Sequence, residues 1–109
     1  MTLQAKLRAL YEPFQALDCP VYHYHRADPS ERYVVWAEDS ENVSFRADGA
    51  KREQQLAGVI DFYTKTEFDT IADDIQDILV SERIGWHLDS VQYEEETNLI
   101  HFQWRWYLG

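Results

Sequence analysis

The sequence has one cysteine in 109 residues, Cys19, which excludes an internal disulfide and any cysteine-based zinc cluster. A lone thiol fits a reducing compartment, and its expected part is that of a small half-buried side chain. Glycine occurs only four times, and no Gly-rich phosphate loop, nucleophile elbow or Cys/His nucleophile context is found along the chain. Basic side chains are also scarce: ten Lys and Arg against twenty Asp and Glu give a formal charge of -10. That balance opposes adhesion to phosphate backbones and anionic lipid, so neither sequence-specific nucleic-acid binding nor membrane association is expected. The basic residues, from Lys6 and Arg8 to Arg83 and Arg105, are spread along the chain. No apolar run approaches the ~20 residues needed to cross a bilayer, and the amino terminus lacks a charged-then-apolar signal segment, so a soluble, unexported domain is expected.

Hydrophobic residues make up 45% of the chain and aromatics 15%, which favours a folded core over disorder. The length suits a single domain over residues 1–109, without internal repeats or low-complexity tracts. The stretch from Leu56 to Ile84 organises the rest. Leu56, Gly58, Ile60 and Phe62 fall on one side of an extended chain and Ala57, Val59, Asp61 and Tyr63 on the other, so an interior strand is expected. Thr66 and Asp69 have the spacing of a capping box, and a helix is expected from there with Phe68, Ile71, Ala72, Ile75, Ile78 and Leu79 on its apolar stripe. Arg83 suits the carboxyl end of the helix dipole, and Gly85 is the expected left-handed stop.

Upstream, Leu3, Leu7, Leu10, Tyr11, Phe14 and Leu17 recur at helical spacing, with Thr2 as the cap. Pro13 predicts a break, with Phe14 and Leu17 still packing inward. Val21 to His25 reads as an edge strand, and Tyr33 to Ala37 as a strand covered on both faces that forms the middle of the sheet with Leu56 to Tyr63. Residues 38–51 turn polar and form the longest candidate loop, either a binding segment or a strand extension around Val43 and Phe45. Trp86 to Glu94 and the final segment form a closing hairpin. In the latter, Ile100, Phe102, Trp104, Trp106 and Leu108 share one face and His101, Gln103, Arg105 and Tyr107 the other. The sum is an α+β fold: two helices on one face of a mainly antiparallel four- to five-stranded sheet, in the order α-β-β-(loop)-β-α-β-β. The other sheet face is polar and aromatic, suited to docking copies or partners.

Chemistry-bearing clusters are weak. His23 and His25 share one side of a strand, with His87 or His101 as conceivable additions, but they lack the fixed convergent spacing of a metal motif. Glu94, Glu95 and Glu96 are consecutive residues on a turn and point apart into water. Trp104 to Tyr107 could stack bases, against which the acidic balance argues. No catalytic, cofactor-binding or metal residue is assigned, and an enzyme is not expected.

The phrases Tyr33-Val34-Val35-Trp36-Ala37-Glu38-Asp39, Phe45-Arg46-Ala47-Asp48, Ile60-Asp61-Phe62-Tyr63-Thr64-Lys65-Thr66 and Val91-Gln92-Tyr93-Glu94-Glu95-Glu96-Thr97 resemble the small tail-completion or tail-terminator proteins of long-tailed bacteriophages and prophages. The resemblance covers most of the chain, including the early helix, and departs at Gly49, where related chains commonly carry Asn. It implies a structural protein of the virion's head–tail junction, present in the host cytoplasm during assembly. Such a protein forms a ring, usually of six copies, on the head-proximal end of the tail tube, stops tube growth and offers the surface to which the head attaches. Its partners would be itself, the tail tube protein and a head-completion or neck protein, and it needs no cofactor. Copies would stay monomeric until they meet the tube, with a polar loop ordering on contact. The expected interface is the segment Asn42 to Arg52, with Asn42, Phe45, Arg46, Asp48, Lys51 and Arg52, together with His101, Gln103 and Arg105 on the helix-free sheet face. The alternatives are a head-side neck or minor capsid protein and, from another class, a host-directed protein-binding module.

Overall fold

A computed structural model describes residues 2–41, 46–47, 50–51 and 54–109. The elements are α1 (Leu3–Phe14), β1 (Val21–His23), β2 (Tyr33–Glu41), β3 (Arg46–Ala47), β4 (Ala50–Lys51), β5 (Leu56–Thr64), α2 (Ile71–Ser81), β6 (Gly85–Glu94) and β7 (Leu99–Leu108). Five strands form one sheet in the order β1-β2-β5-β7-β6. Its pairs are antiparallel except β1 with β2, which run parallel. The α+β architecture read from the periodicities is the one observed, with β5 at the centre and β1 at one edge.

One cluster holds the sheet and both helices together. Leu7, Leu10 and Phe14 of α1 and Ile71, Ile75 and Leu79 of α2 meet Val34 and Trp36, Ile60 and Phe62, and Trp104 and Trp106 from the three inner strands. Trp106 lies so close over Gly58 that an added Cβ would sit 2.5 Å from its Cζ2 and 2.1 Å from the Ala37 carbonyl. Only glycine fits there, because an inserted methyl in a close-packed core displaces its neighbours. Two of the buried indoles donate, Trp104 Nε1 to Gln76 Oε1 at 3.0 Å and Trp106 Nε1 to the Val59 carbonyl at 3.1 Å. Among the described residues Trp36 Nε1 is buried without an acceptor.

Several local expectations are corrected. Thr2 does cap α1, accepting from Ala5 N at 3.1 Å, but the helix runs unbroken through Pro13 to Phe14. Pro13 falls in the last turn, where its missing N–H removes one helical bond, and shorter bonds such as Gln15 N to the Glu12 carbonyl, 3.1 Å, close the end. Leu3 is exposed and off the core stripe.

The second helix starts at Ile71, with Thr70 as its cap residue, so the Thr66–Asp69 capping box does not form. Asp69 instead accepts from Ile71 N at 3.0 Å and from the Thr64 hydroxyl at 2.7 Å, while Arg32 grips its carboxylate through Nε at 2.8 Å and NH2 at 2.7 Å. This clasp, joining the approach to β2, the end of β5 and the start of α2, holds the preceding residues out of helical geometry. Phe68, expected on the apolar stripe, has a positive φ of 59° and is exposed. At the other end Arg83, with φ 57°, takes the left-handed position given above to Gly85, which opens β6. Arg83 N bonds the Val80 carbonyl and Ile84 N the Leu79 carbonyl, a Schellman stop sealed by the buried pair Leu79 and Ile84.

The polar stretch after Ala37 is shorter as a loop than expected. β2 continues to Glu41, paired with Leu56, and beyond it Arg46↔Lys51 and Ala47↔Ala50 form a separate two-stranded ladder. Val43 and Phe45 lie outside the described residues. β1 ends at His23, short of His25, as Tyr24 turns to φ 75°.

Candidate interaction surfaces

Period-two alternation puts a continuous set of side chains on the helix-free face, and the sheet register lines them up across strands. Tyr33, Tyr63 and His101 are neighbours in one row, with ring centroids 4.7 Å and 4.2 Å apart. Arg26 caps the row, its guanidinium 5.1 Å from the centre of the Tyr33 ring. Val35, Asp61 and Gln103 form the next row, and Ala37, Val59 and Arg105 the one after.

Three of the residues singled out in the sequence, His101, Gln103 and Arg105, therefore come together, and each already has a partner. Asp61 Oδ1 sits 2.7 Å from His101 Nε2 and accepts from Gln103 Nε2 at 2.9 Å. Arg105 donates through NH2 to Asp39 Oδ1 at 2.8 Å and to the Ser40 hydroxyl at 3.1 Å. Asp39 reaches it because it is the extra residue of a β-bulge between Glu38 and Ser40. The Arg105 guanidinium holds the Asp39 carboxyl below its usual range, and burial pushes the Tyr63 hydroxyl up to about 12. The face is polar and pre-ordered, and its central donors and acceptors satisfy one another.

Of the loop residues, Arg46 and Lys51 pair as β3 and β4, while Asn42, Phe45, Asp48 and Arg52 lie outside the described residues. β2 ends at Glu41 and β5 begins at Leu56, and between them β3 and β4 pair only with each other among the described residues.

A second cluster was not visible in the sequence. Parallel pairing sets His23 beside Trp36, and the two rings stack 3.8 Å apart at 4°. Tyr24 stacks on the other side of His23 at 3.7 Å. His23 Nε2 lies 2.6 Å from Glu38 Oε1, and the Tyr24 hydroxyl donates to Glu38 Oε2. Burial works against the charge on Glu38, but these two partners outweigh it and hold its carboxyl below the usual range. These side chains, with Arg8 and Tyr11 of α1, line a cleft of about 420 Å³. The residues meet only through the pairing of distant segments, so no local spacing could announce them. His23 and His25 do not converge, and among the described residues no group of three or more His, Cys, Asp or Glu is placed to hold a metal ion. Burial raises the Cys19 thiol to about 11, far from the thiolate a nucleophile needs. Compared with known proteins, the chain matches no family model and no curated sequence.

Proposed function

We propose that this chain is a non-enzymatic building part of a phage or prophage tail: it caps the head-proximal end of the tail tube as a ring of copies, usually six, and presents the surface that joins the head. The observation that carries the reading is the β3–β4 ladder, which falls inside the segment 42–52 expected to bridge copies and pairs with no strand of its own sheet. A ladder paired apart from the main sheet has backbone order that the sheet does not use, which suits a contact with another molecule. The charge of -10 supports the same reading, because an acidic ring lets a phosphate backbone pass its bore without capture. The pre-ordered helix-free face, with His101, Gln103 and Arg105, offers a rigid platform whose side chains lose little further freedom on contact.

The test is electron microscopy of particles assembled without the protein, together with sedimentation of the purified chain alone and with tail tubes. Overlong tails and tube-dependent association are the expected results. Tails of normal length that fail to attach heads would move the role to the neck side of the junction. A chain that associates neither with itself nor with tubes, yet captures a bacterial protein, would replace the reading with a host-directed module.

A further inference from the structure

The helix-bearing side of the sheet is not closed along β6. The core beneath α1 and α2 is built on β2, β5 and β7, whereas β6 is the outermost strand, and its residues Leu88, Val91 and Tyr93 are 45%, 50% and 61% exposed. Among the described residues its outer edge, ten residues long, pairs with no strand. It holds neither proline nor lysine to discourage pairing with another chain. The opposite edge of the sheet, β1, is only three residues long. Inward from β6 the apolar surface runs on through Phe102 and Ile100, the register neighbours of Val91 and Tyr93, into a groove of about 420 Å³ lined also by Phe68, Asp69 and Ala72. Phe68 is 92% exposed and sits at φ 59°, a conformation that costs a bulky residue backbone strain and buries nothing within its own chain.

The order of sides along β6 selects the strand that this edge fits. Trp86 and Leu88 lie on the helix side before the bulge and Val91 and Tyr93 after it, opposite Trp106, Trp104, Phe102 and Ile100 of β7. Asp89, the extra residue, joins Ser90 on the helix-free side, where its Oδ1 lies 3.9 Å from His87 Nε2. From Gly85 to Glu94 the sides therefore run free, helix, free, helix, free, free, helix, free, helix, free, a series that is identical in reverse. A strand of unbroken alternation laid along this edge would match it over one half and face the wrong side over the other. A second β6, run antiparallel about a two-fold axis, matches it throughout.

In that register Trp86 faces Tyr93 of the second copy and Leu88 faces its Val91, each pair occurring twice. Aromatic and aliphatic pairs of this kind are the ones that stabilise neighbouring strands. On the other side Asp89 faces Ser90, whose hydroxyl donates to carboxylates, His87 faces Gln92, and Glu94 faces Gly85. Despite a charge of -10 on each copy, no two like charges are set directly opposite. Phe68 borders these rows beside Ile100, so its exposed ring becomes part of the rim around a covered apolar surface. An edge ~33 Å long, with its exposed side chains, covers on the order of 1,000 Å² over both copies, the lower limit of a specific interface, which fits a reversible dimer with a Kd on the order of micromolar.

We infer that two copies of this chain pair through β6 in a two-fold antiparallel contact that joins their five-stranded sheets into one, with Trp86 against Tyr93 and Leu88 against Val91 across the axis. The contact closes at two copies, because it uses the same edge of both. It does not rest on the ring reading: neighbours in a six-membered ring are related by a sixth of a turn and not by a half, so the pair is the form of the chain away from the tube.

Register-specific cross-linking tests this. On a Cys19→Ser background one variant carries Leu88→Cys and another Val91→Cys, both at half-exposed positions, with thermal unfolding confirming that each retains the fold. Mixed in equal amounts under mild oxidation, the two should form disulfide-linked dimers at least tenfold faster than either alone, because position 88 of one copy faces position 91 of the other and not its own counterpart. Sedimentation of the natural chain without tubes should show a dimer, and Val91→Lys, which sets a charge against Leu88, should raise its Kd at least tenfold. The inference is overturned by a natural chain that stays monomeric up to ~100 μM, by cross-linking as fast within one variant as between the two, or by a Val91→Lys dimer as tight as the natural one. Each of these results leaves the ring reading standing, since tail length and binding to tubes decide that separately.

Discussion

The helix-free face and the β6 margin differ in what they leave unanswered. On the face, Asp61 serves His101 and Gln103 together, and Asp39 bulges out of its strand to meet Arg105. Along β6 the backbone edge has no partner strand among the described residues, and Phe68, Leu88, Val91 and Tyr93 remain in water. Polarity alone thus does not mark a contact surface. A satisfied network gains little from a partner, because each bond made must replace one already present, whereas an open edge beside exposed apolar rings gains from being covered.

The comparison can be broken by substitution. The largest effect is expected at Asp69, which anchors the groove's inner wall while being tied to Arg32 and Thr64. Asp69→Ala strands both partners and should cost about 3 kcal/mol in denaturant unfolding. The hydrogen bonds from Arg32 hold the Asp69 carboxyl at about 2, below its ordinary value of 3.8. Its stabilising contribution is therefore complete above pH 3.8 and lost as the pH falls through about 2. Acid titration of the natural chain should show that loss, and the alanine variant should lack it.

Next in size is Asp61→Ala, which leaves His101 and Gln103 without their shared acceptor. It should cost about 1–2 kcal/mol, partly offset because water reaches this face. If association of copies survives this change while stability drops, the face is structural glue and the margin is the meeting place. At Phe68 the sign reverses. Phe68→Gly relieves the left-handed strain and should raise the stability of the isolated chain by about 0.5 kcal/mol, despite a looser unfolded state. The same variant should weaken association of copies. Smallest is Val91→Thr, expected to shift stability by less than ~0.5 kcal/mol, so any fall in assembly it causes is a surface effect. A loss of stability at Phe68 or Val91 comparable to that at Asp61 would erase the distinction between the two regions.

Much of the architecture could be read from the chain. The alternation in β5 and β7 placed Ile60, Phe62, Trp104 and Trp106 inward, and the stripe of Ile71, Ile75 and Leu79 put α2 over them. His101, Gln103 and Arg105 share a face because period two requires it. The failures have tertiary causes. Thr66 and Asp69 have the right spacing for a cap, but Arg32, thirty-seven residues away, draws Asp69 into another role. Pro13 breaks nothing because it lies in the final turn. The partners of His101 and Arg105, Asp61 and Asp39, come from strands whose adjacency no local pattern states. Nor does any pattern state that β6 is outermost, and strict alternation separates Trp86 and Leu88 from Val91 and Tyr93, which the bulge reunites.

Each of the two bulges spends one residue, but to different ends. Asp39 is employed, since Arg105 binds it; among the described residues Asp89 has only the longer, exposed approach of His87 at 3.9 Å. Shortening the chain at Asp89 would straighten the strand without moving any other side chain to the opposite surface, because Leu88 and Ser90 already face consecutive residues of β7. Shortening it two or three positions later would turn the remaining rings over. The gene should therefore tolerate loss of codon 89 and resist loss of codon 92.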